Sequence, residues 1–214
     1  MKHLQLTPPL LLITMGYPGS GKTFFARQFA DLHGLPRISE DNLRYELFER
    51  PQFNEDETEI LQRIMHYSLE QLMQTERTII CEGSFLKTEQ RKNLYNIAAK
   101  NGYRALVVWL QTDLETSASR AKNRDRRNVD SKYSFPIDTE TFKEIRAQLE
   151  RPSEKEQVVV ISGKHAFKGQ CITVLRRIAS MYSESLSKGD FSTENPLGSP
   201  RRPVLRRPTT RFIQ

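Results

Sequence analysis

Apolar runs alternate with apolar stripes along the chain. Leu10-Leu11-Leu12-Ile13-Thr14 is a continuous hydrophobic run, and others recur at Thr78–Cys81, Arg104–Leu110 and Val158–Ile161, with a short one at Arg37–Ser39. Runs of this kind, bounded by polar turns, read as strands buried on both faces. Between them the period becomes helical. Phe25, Phe29 and Leu32 share a face after the first run. Leu61, Ile64, Met65, Leu69, Leu72 and Met73 keep i, i+3, i+4 spacing before Thr78, and Leu94, Ile97 and Ala98 do so after Cys81. Phe142, Ile145 and Leu149 follow Pro136-Ile137-Asp138, where Asp138 is placed as an N-cap. Ile172, Leu175, Ile178, Ala179 and Tyr182 form the last stripe. Strands alternating with helices predict an α/β fold: a three-layer sandwich with a five-stranded parallel sheet and helices on both faces.

The pattern stops near Ser183. Residues 184–214 are rich in Ser, Pro, Gly and Arg and poor in apolar residues, as in Ser199-Pro200-Arg201-Arg202-Pro203 and Leu205-Arg206-Arg207-Pro208. This composition predicts a folded domain over 1–183 and a disordered basic tail over 184–214. The chain has 214 residues and a formal charge of +7. Part of that charge sits in the tail, where Lys188, Arg201, Arg202, Arg206, Arg207 and Arg211 outnumber Glu184, Asp190 and Glu194. A basic balance favours anionic partners, and the tail reads either as a solubilising segment or as a tether to nucleic acid or another acidic partner. Cys81 and Cys171 lie in apolar surroundings without metal-ligand spacing, as reduced core residues do. The longest apolar run, Leu10–Met15, is too short to span a bilayer and no cleavage site follows it. A cytoplasmic protein is the expectation.

The first apolar run leads into Gly16-Tyr17-Pro18-Gly19-Ser20-Gly21-Lys22-Thr23, which is G-x-x-x-x-G-K-T with a strand before it and a helix after it. In that setting the loop turns backbone N–H groups towards phosphate oxygens, and the helix start adds its unpaired N–H groups. Gly16, Pro18, Gly19, Ser20, Gly21, Lys22, Thr23 and Phe24 are therefore the expected nucleotide contacts, with Lys22 on the β/γ-phosphates and the Thr23 hydroxyl on Mg²⁺.

Four further segments fall at or just beyond strand ends. In Ile38-Ser39-Glu40-Asp41-Asn42-Leu43-Arg44, Asp41 is a candidate general base, or else a helix N-cap. Arg44, one helical turn on, is a candidate to hold the acceptor or the transferring phosphoryl group. In Thr78-Ile79-Ile80-Cys81-Glu82, Glu82 ends a strand where it can serve Mg²⁺, orient the acceptor or pair with Arg44. The run Ser119–Arg127 carries Arg120 and Arg124 on one helix face, as a mobile lid with arginines facing the phosphoryl group would. The loop Ser162–Phe167 is a candidate wrap for the adenine base, and His165 in it has no catalytic role.

In this order the segments resemble the kinase domain of phage-type polynucleotide 5′-hydroxyl kinases, within the P-loop kinases of the AAA_33-like ATP-binding family, whose relatives include zeta toxins and chloramphenicol phosphotransferases. The resemblance spans about residues 10–182 and adds Phe135-Pro136-Ile137-Asp138 to the motifs above. It implies an ATP- and Mg²⁺-dependent transfer of the γ-phosphoryl group to a hydroxyl, with 5′-hydroxyl DNA or RNA as the first acceptor. Asp41 would be the general base and Arg44 the contact to the acceptor phosphate. Arg124 would lie on the donor phosphates, with Arg120 near the nucleobase. Glu82 departs from the aspartate such enzymes carry, and no second domain for 3′-phosphatase chemistry is present. The segment Tyr45–Thr58 is where acceptor recognition would vary. A small-molecule or nucleotide-sugar acceptor, and a non-catalytic ATP-binding regulator, are the alternatives.

Overall fold

A computed structural model describes residues 6–125 and 127–187. The chain divides into two units, Met1–Ile178 and Ala179–Gln214. The first unit is built on five strands: β1 (Leu10–Met15), β2 (Arg37–Ser39), β3 (Ile79–Glu82), β4 (Arg104–Gln111) and β5 (Val158–Ser162). They form one sheet in the order β2-β3-β1-β4-β5, and every pairing is parallel. β1 lies in the middle. Leu11, Leu12 and Ile13 pair with Ile79, Ile80 and Cys81 on one side and with Ala105, Leu106 and Val107 on the other. All six of its residues are buried. That is why β1 reads as an unbroken apolar run: a parallel strand covered by helices on both faces has no solvent side on which to alternate. β5, at the sheet edge, does alternate, and Val160 is exposed on it.

The helices are α1 (Lys22–His33), α2 (Glu40–Leu47), α3 (Glu55–Met73), α4 (Thr88–Lys100), α5 (Leu114–Lys122), α6 (Thr139–Ala147) and α7 (Phe167–Ser187), with a 3-10 turn at Val129–Ser131. Met65, Leu69 and Met73 of α3 and Leu94 and Ala98 of α4 pack in one cluster with β1, β3 and β4. Asp138 caps α6 as expected, accepting from the Thr141 N–H at 2.8 Å. Two stripes agree only in part with the sequence reading, with Phe25, Phe29 and Ile178 buried as expected. In α1 the buried face is Phe25, Ala26, Phe29 and Ala30, and Leu32 is 52% exposed. In α7, Cys171, Val174 and Ile178 are buried while Ile172 is exposed. In both helices, apolar residues stand at adjacent positions, so two phases of one period fit the pattern.

Both cysteines are buried and free. α7 continues through Ser187, and the remainder of the predicted tail, residues 188–214, lies outside the described residues. Among the described residues no helix is long and apolar enough to cross a membrane.

One buried charge ties α4 to the loop before β5. The Arg91 side chain is fully buried; its Nε donates to Glu156 Oε2 at 2.7 Å and its Nη1 to the carbonyls of Phe85 and Leu86 at 3.0 Å each. Removing one partner of such a pair leaves the other charge without compensation. Arg91→Ala should therefore lower unfolding free energy by about 3–5 kcal/mol, read as a fall in the urea midpoint.

Candidate active site

The carboxyl edge of a parallel sheet is where its loops converge, and here the loop after β1 is the phosphate-binding motif. Gly19 has φ +78°, and a Cβ there would stand 2.2 Å from the Ser117 carbonyl oxygen of α5. Left-handed backbone and close approach together admit only glycine. Gly163, after β5, packs as closely: a Cβ would lie 2.0 Å from the Ser20 carbonyl oxygen. Gly21 precedes α1 without a side-chain cap, so the first-turn N–H groups face the loop. The Lys22 ammonium donates to the carbonyls of Gly16 and Tyr17, at 2.9 Å each. Gly16 N–H bonds the Ser84 carbonyl, which fastens the loop to the segment after β3.

The loop forms one wall of a cleft of about 990 Å³. Pro18, Gly19, Gly21, Lys22, Thr23, Phe24, Asp41, Glu82, Arg120 and Arg124 all line it. Gly16 and Ser20 stand behind this surface; Ser20 is fully buried, and its hydroxyl has no hydrogen-bond partner among the described residues. Asp41 is not the cap of its helix. Ser39 caps α2, its hydroxyl accepting from the Asn42 N–H at 3.4 Å. Asp41 sits in the first turn, where the helix dipole favours an acid, and Ser134 Oγ donates to its Oδ2 at 3.3 Å.

The charges here act on one another. Burial pushes the Lys22 ammonium down to about 8, with Arg124 acting in the same direction and Asp41, Glu82 and Glu40 opposing it. Burial and the Asp41 charge push the Glu40 carboxyl up to about 7, against Arg44, Lys22 and the Ser84 N–H. Burial also lowers Arg124, while Asp41 and Tyr45 hold it up. Asp41 is thus near both Lys22 and Arg124.

Several contacts hold the segment expected to be a lid. Arg120 Nη1 donates to the Gly163 carbonyl at 3.1 Å, and Arg124 Nη1 to the Phe135 carbonyl at 2.9 Å. Arg27 of α1 forks onto Asp130 with bonds of 2.8 and 3.2 Å. Lys164 pairs with Asp113, whose carboxyl it holds well below the usual range.

Two sequence expectations meet different surroundings. Glu82 ends β3 as expected but pairs with Arg37 of the neighbouring β2. Arg44 is only 6% exposed, pairs with Glu57 Oε2 at 3.3 Å and is not on the cleft wall. Sequence reasoning passed over Glu40, although two acids in tandem at a strand end were a signal. It also passed over Ser134, which had none.

The residues fit a nucleotide and its metal. The Lys22 ammonium rests on the loop's own carbonyls, within the cradle that a phosphate would enter. Among the described residues no group of three His, Cys, Asp or Glu side chains is placed to hold a metal. Mg²⁺ in such sites takes most ligands from phosphates and water, so the Thr23 hydroxyl with nearby carboxylates is an adequate protein share.

In structure the chain is similar to a gluconokinase from Sinorhizobium meliloti 1021, with TM-score 0.63 and 17% identity over 85% of this chain and 98% of that one. It is similar to the Mycobacterium tuberculosis APS kinase CysC, solved with AMPPNP and APS, with TM-score 0.60 and 16% identity over 80% and 98%. A chain of the Pnkp1/Rnl/Hen1 RNA repair complex aligns with TM-score 0.57 and 19% identity, over 70% of this chain and 45% of that one. At these identities the likeness is one of fold. No curated protein matches the chain significantly. The AAA_33 family, described as an AAA domain, matches residues 11–152, most of the sheet and the whole cleft wall up to α6, and the chain belongs to that family.

Proposed function

We propose that the protein is an ATP-dependent kinase that transfers the γ-phosphoryl group to an acceptor hydroxyl, with a polynucleotide 5′-hydroxyl as the favoured acceptor. The observation that carries this reading is the convergence of Asp41, Lys22 and Arg124 on one cleft, each charge acting on the others. A carboxylate beside the lysine suits the proton acceptor that transfer to a hydroxyl needs.

In this reading the triphosphate of ATP lies along the loop from Pro18 to Thr23, under Lys22 and Arg124. Its base lies towards Phe24, Arg120 and Gly163. Asp41 accepts the proton of the acceptor hydroxyl as that oxygen attacks the γ-phosphorus. The bond from phosphorus to the β,γ-bridging oxygen breaks, and ADP leaves. Lys22 and Arg124 offset the charge on the phosphoryl oxygens during the transfer. Thr23 would hold Mg²⁺, with Glu82 acting at one remove because Arg37 occupies its carboxylate; the ion would neutralise charge on the β- and γ-phosphates.

The test is transfer of label from γ-labelled ATP to 5′-hydroxyl DNA and RNA oligonucleotides, with 5′-phosphorylated copies as controls. Asp41→Asn should keep ATP affinity and lose transfer by about 10²-fold or more. Unchanged transfer would remove Asp41 from the base role. Label on no strand, with nucleotide binding intact, would move the acceptor to a small molecule.

Lys22 gives a second expectation. A lysine near 8 is charged below that pH and neutral above it, and only the charged form attracts phosphate. Nucleotide affinity should fall as pH rises through about 8, by up to about tenfold per unit. Calorimetric titration with AMPPNP would read this, and Lys22→Arg should abolish the fall, because guanidinium stays charged.

A further inference from the structure

The irregular segment between α2 and α3 holds an unusual side chain. Phe53 has φ +58°, a left-handed conformation that bulky residues rarely adopt. Its N–H donates to Glu57 Oε2 at 2.8 Å, and the Gln52 N–H donates to Glu57 Oε1 at 2.7 Å. Glu57 in turn pairs with the buried Arg44, whose guanidinium lies 5.0 Å from the centre of the Phe53 ring. A buried arginine, a buried glutamate and a strained backbone thus fix one phenylalanine. The product of that fixing is not core: Phe53 remains 57% exposed and lines the same cleft as Asp41. Strain and buried charge are costly, and a ring left in solvent returns little for them. Something flat that stacks on the ring would.

The neighbouring wall has the same character. Tyr45, one turn after Asp41 on α2, packs against Phe135 with centroids 5.4 Å apart and against Tyr133 at 6.2 Å. All three line the cleft, and Phe135 is partly exposed. Hydroxyl-rich acceptors without a ring are held by hydrogen-bonding side chains, whereas aromatic faces at a phosphoryl-accepting wall suit a π-system.

We infer that Phe53, fixed by Arg44 and Glu57, is the stacking platform for the nucleobase of the acceptor nucleotide that carries the reacting hydroxyl. The inference rests on the kinase reading with a polynucleotide 5′ end as acceptor. It gives Arg44 a positioning role, acting through Phe53 rather than on the acceptor phosphate.

The test uses the full chain with AMPPNP and Mg²⁺. A fluorescent 5′-hydroxyl DNA oligonucleotide is compared with one whose 5′-terminal residue is abasic. Wild-type protein should bind the abasic strand roughly 10- to 100-fold more weakly, the usual scale for one stacked base. Phe53→Ala should lose a similar factor on the intact strand and nothing further on the abasic one. Phe53→Trp should restore the preference. Unchanged AMPPNP affinity and circular dichroism would establish that the variants fold. Equal binding of the two strands by wild-type protein, or an equal loss on both in Phe53→Ala, would overturn the platform. So would failure to bind either strand. Transfer of label is measured in parallel and answers separately. Base-dependent binding without transfer supports a base platform and removes the polynucleotide 5′-hydroxyl as the acceptor, and transfer without base dependence keeps that acceptor and overturns the platform.

Discussion

The cleft depends on β1. A strand hydrogen-bonded on both sides and covered on both faces has no freedom to shift, so the point where it ends is fixed relative to the whole sheet. The loop that follows can then turn its amides inward at a defined place, and α1 starts where the loop closes. Neighbouring backbone completes the fixing: Ser117 and Gly163 lie against the loop so closely that a Cβ at Gly19 or Gly163 would collide with a carbonyl oxygen. The phosphate site is therefore made of main chain held by main chain, and side-chain identity enters mainly through Lys22 and Thr23.

A site assembled this way concentrates charge where water is scarce. Lys22 loses proton affinity through burial, and Glu40 gains it for the same reason. Asp41, Glu82 and Glu40 offset part of the effect on Lys22, and Arg44 and Lys22 offset part of the effect on Glu40, so each has an opposite charge nearby. The bonds Lys22 makes to Gly16 and Tyr17 are replaceable, since a phosphate offers a stronger partner than a carbonyl. Arg120 and Arg124 are likewise held by backbone carbonyls, at Gly163 and Phe135. Both sets of contacts keep cations in position without binding them so strongly that an incoming anion has to compete with a carboxylate.

The sequence made the donor side legible because its determinants are local. A buried parallel strand is a continuous apolar run, and the phosphate loop is a contiguous motif, so all five strands were located to within a residue or two. Asp41, Glu82, Arg120 and Arg124 could be placed on the cleft because each follows directly from a strand end or the helix beyond it. The fate of Arg44 was not legible. Its spacing from Asp41 suggests a shared face, but its partner Glu57 comes from the start of another helix. There Asn54 caps α3, accepting from the Glu57 N–H at 2.9 Å. Nothing in the sequence says that the Glu57 carboxylate turns to the N–H groups of Gln52 and Phe53 instead of back to its cap. Leu32 of α1 and Ile172 of α7 were placed on the wrong side for a related reason: where apolar residues are adjacent, only the surface opposite decides which is buried.

The two halves of the cleft are thus specified by different means. Donor binding rests on backbone geometry, which tolerates wide change in sequence provided the glycines remain. The facing wall rests on side chains of α2, the connection to α3 and the segment after α5, where Tyr45, Phe53, Tyr133 and Phe135 are set by ring contacts and by the Arg44–Glu57 pair. On the proposed reading, a substitution in the 48–54 connection would alter this wall and leave the phosphate cradle untouched. A fold built so can keep one donor and change acceptors. For this chain the deciding feature is a phenylalanine held against its own backbone preference beside the group that would take the acceptor's proton.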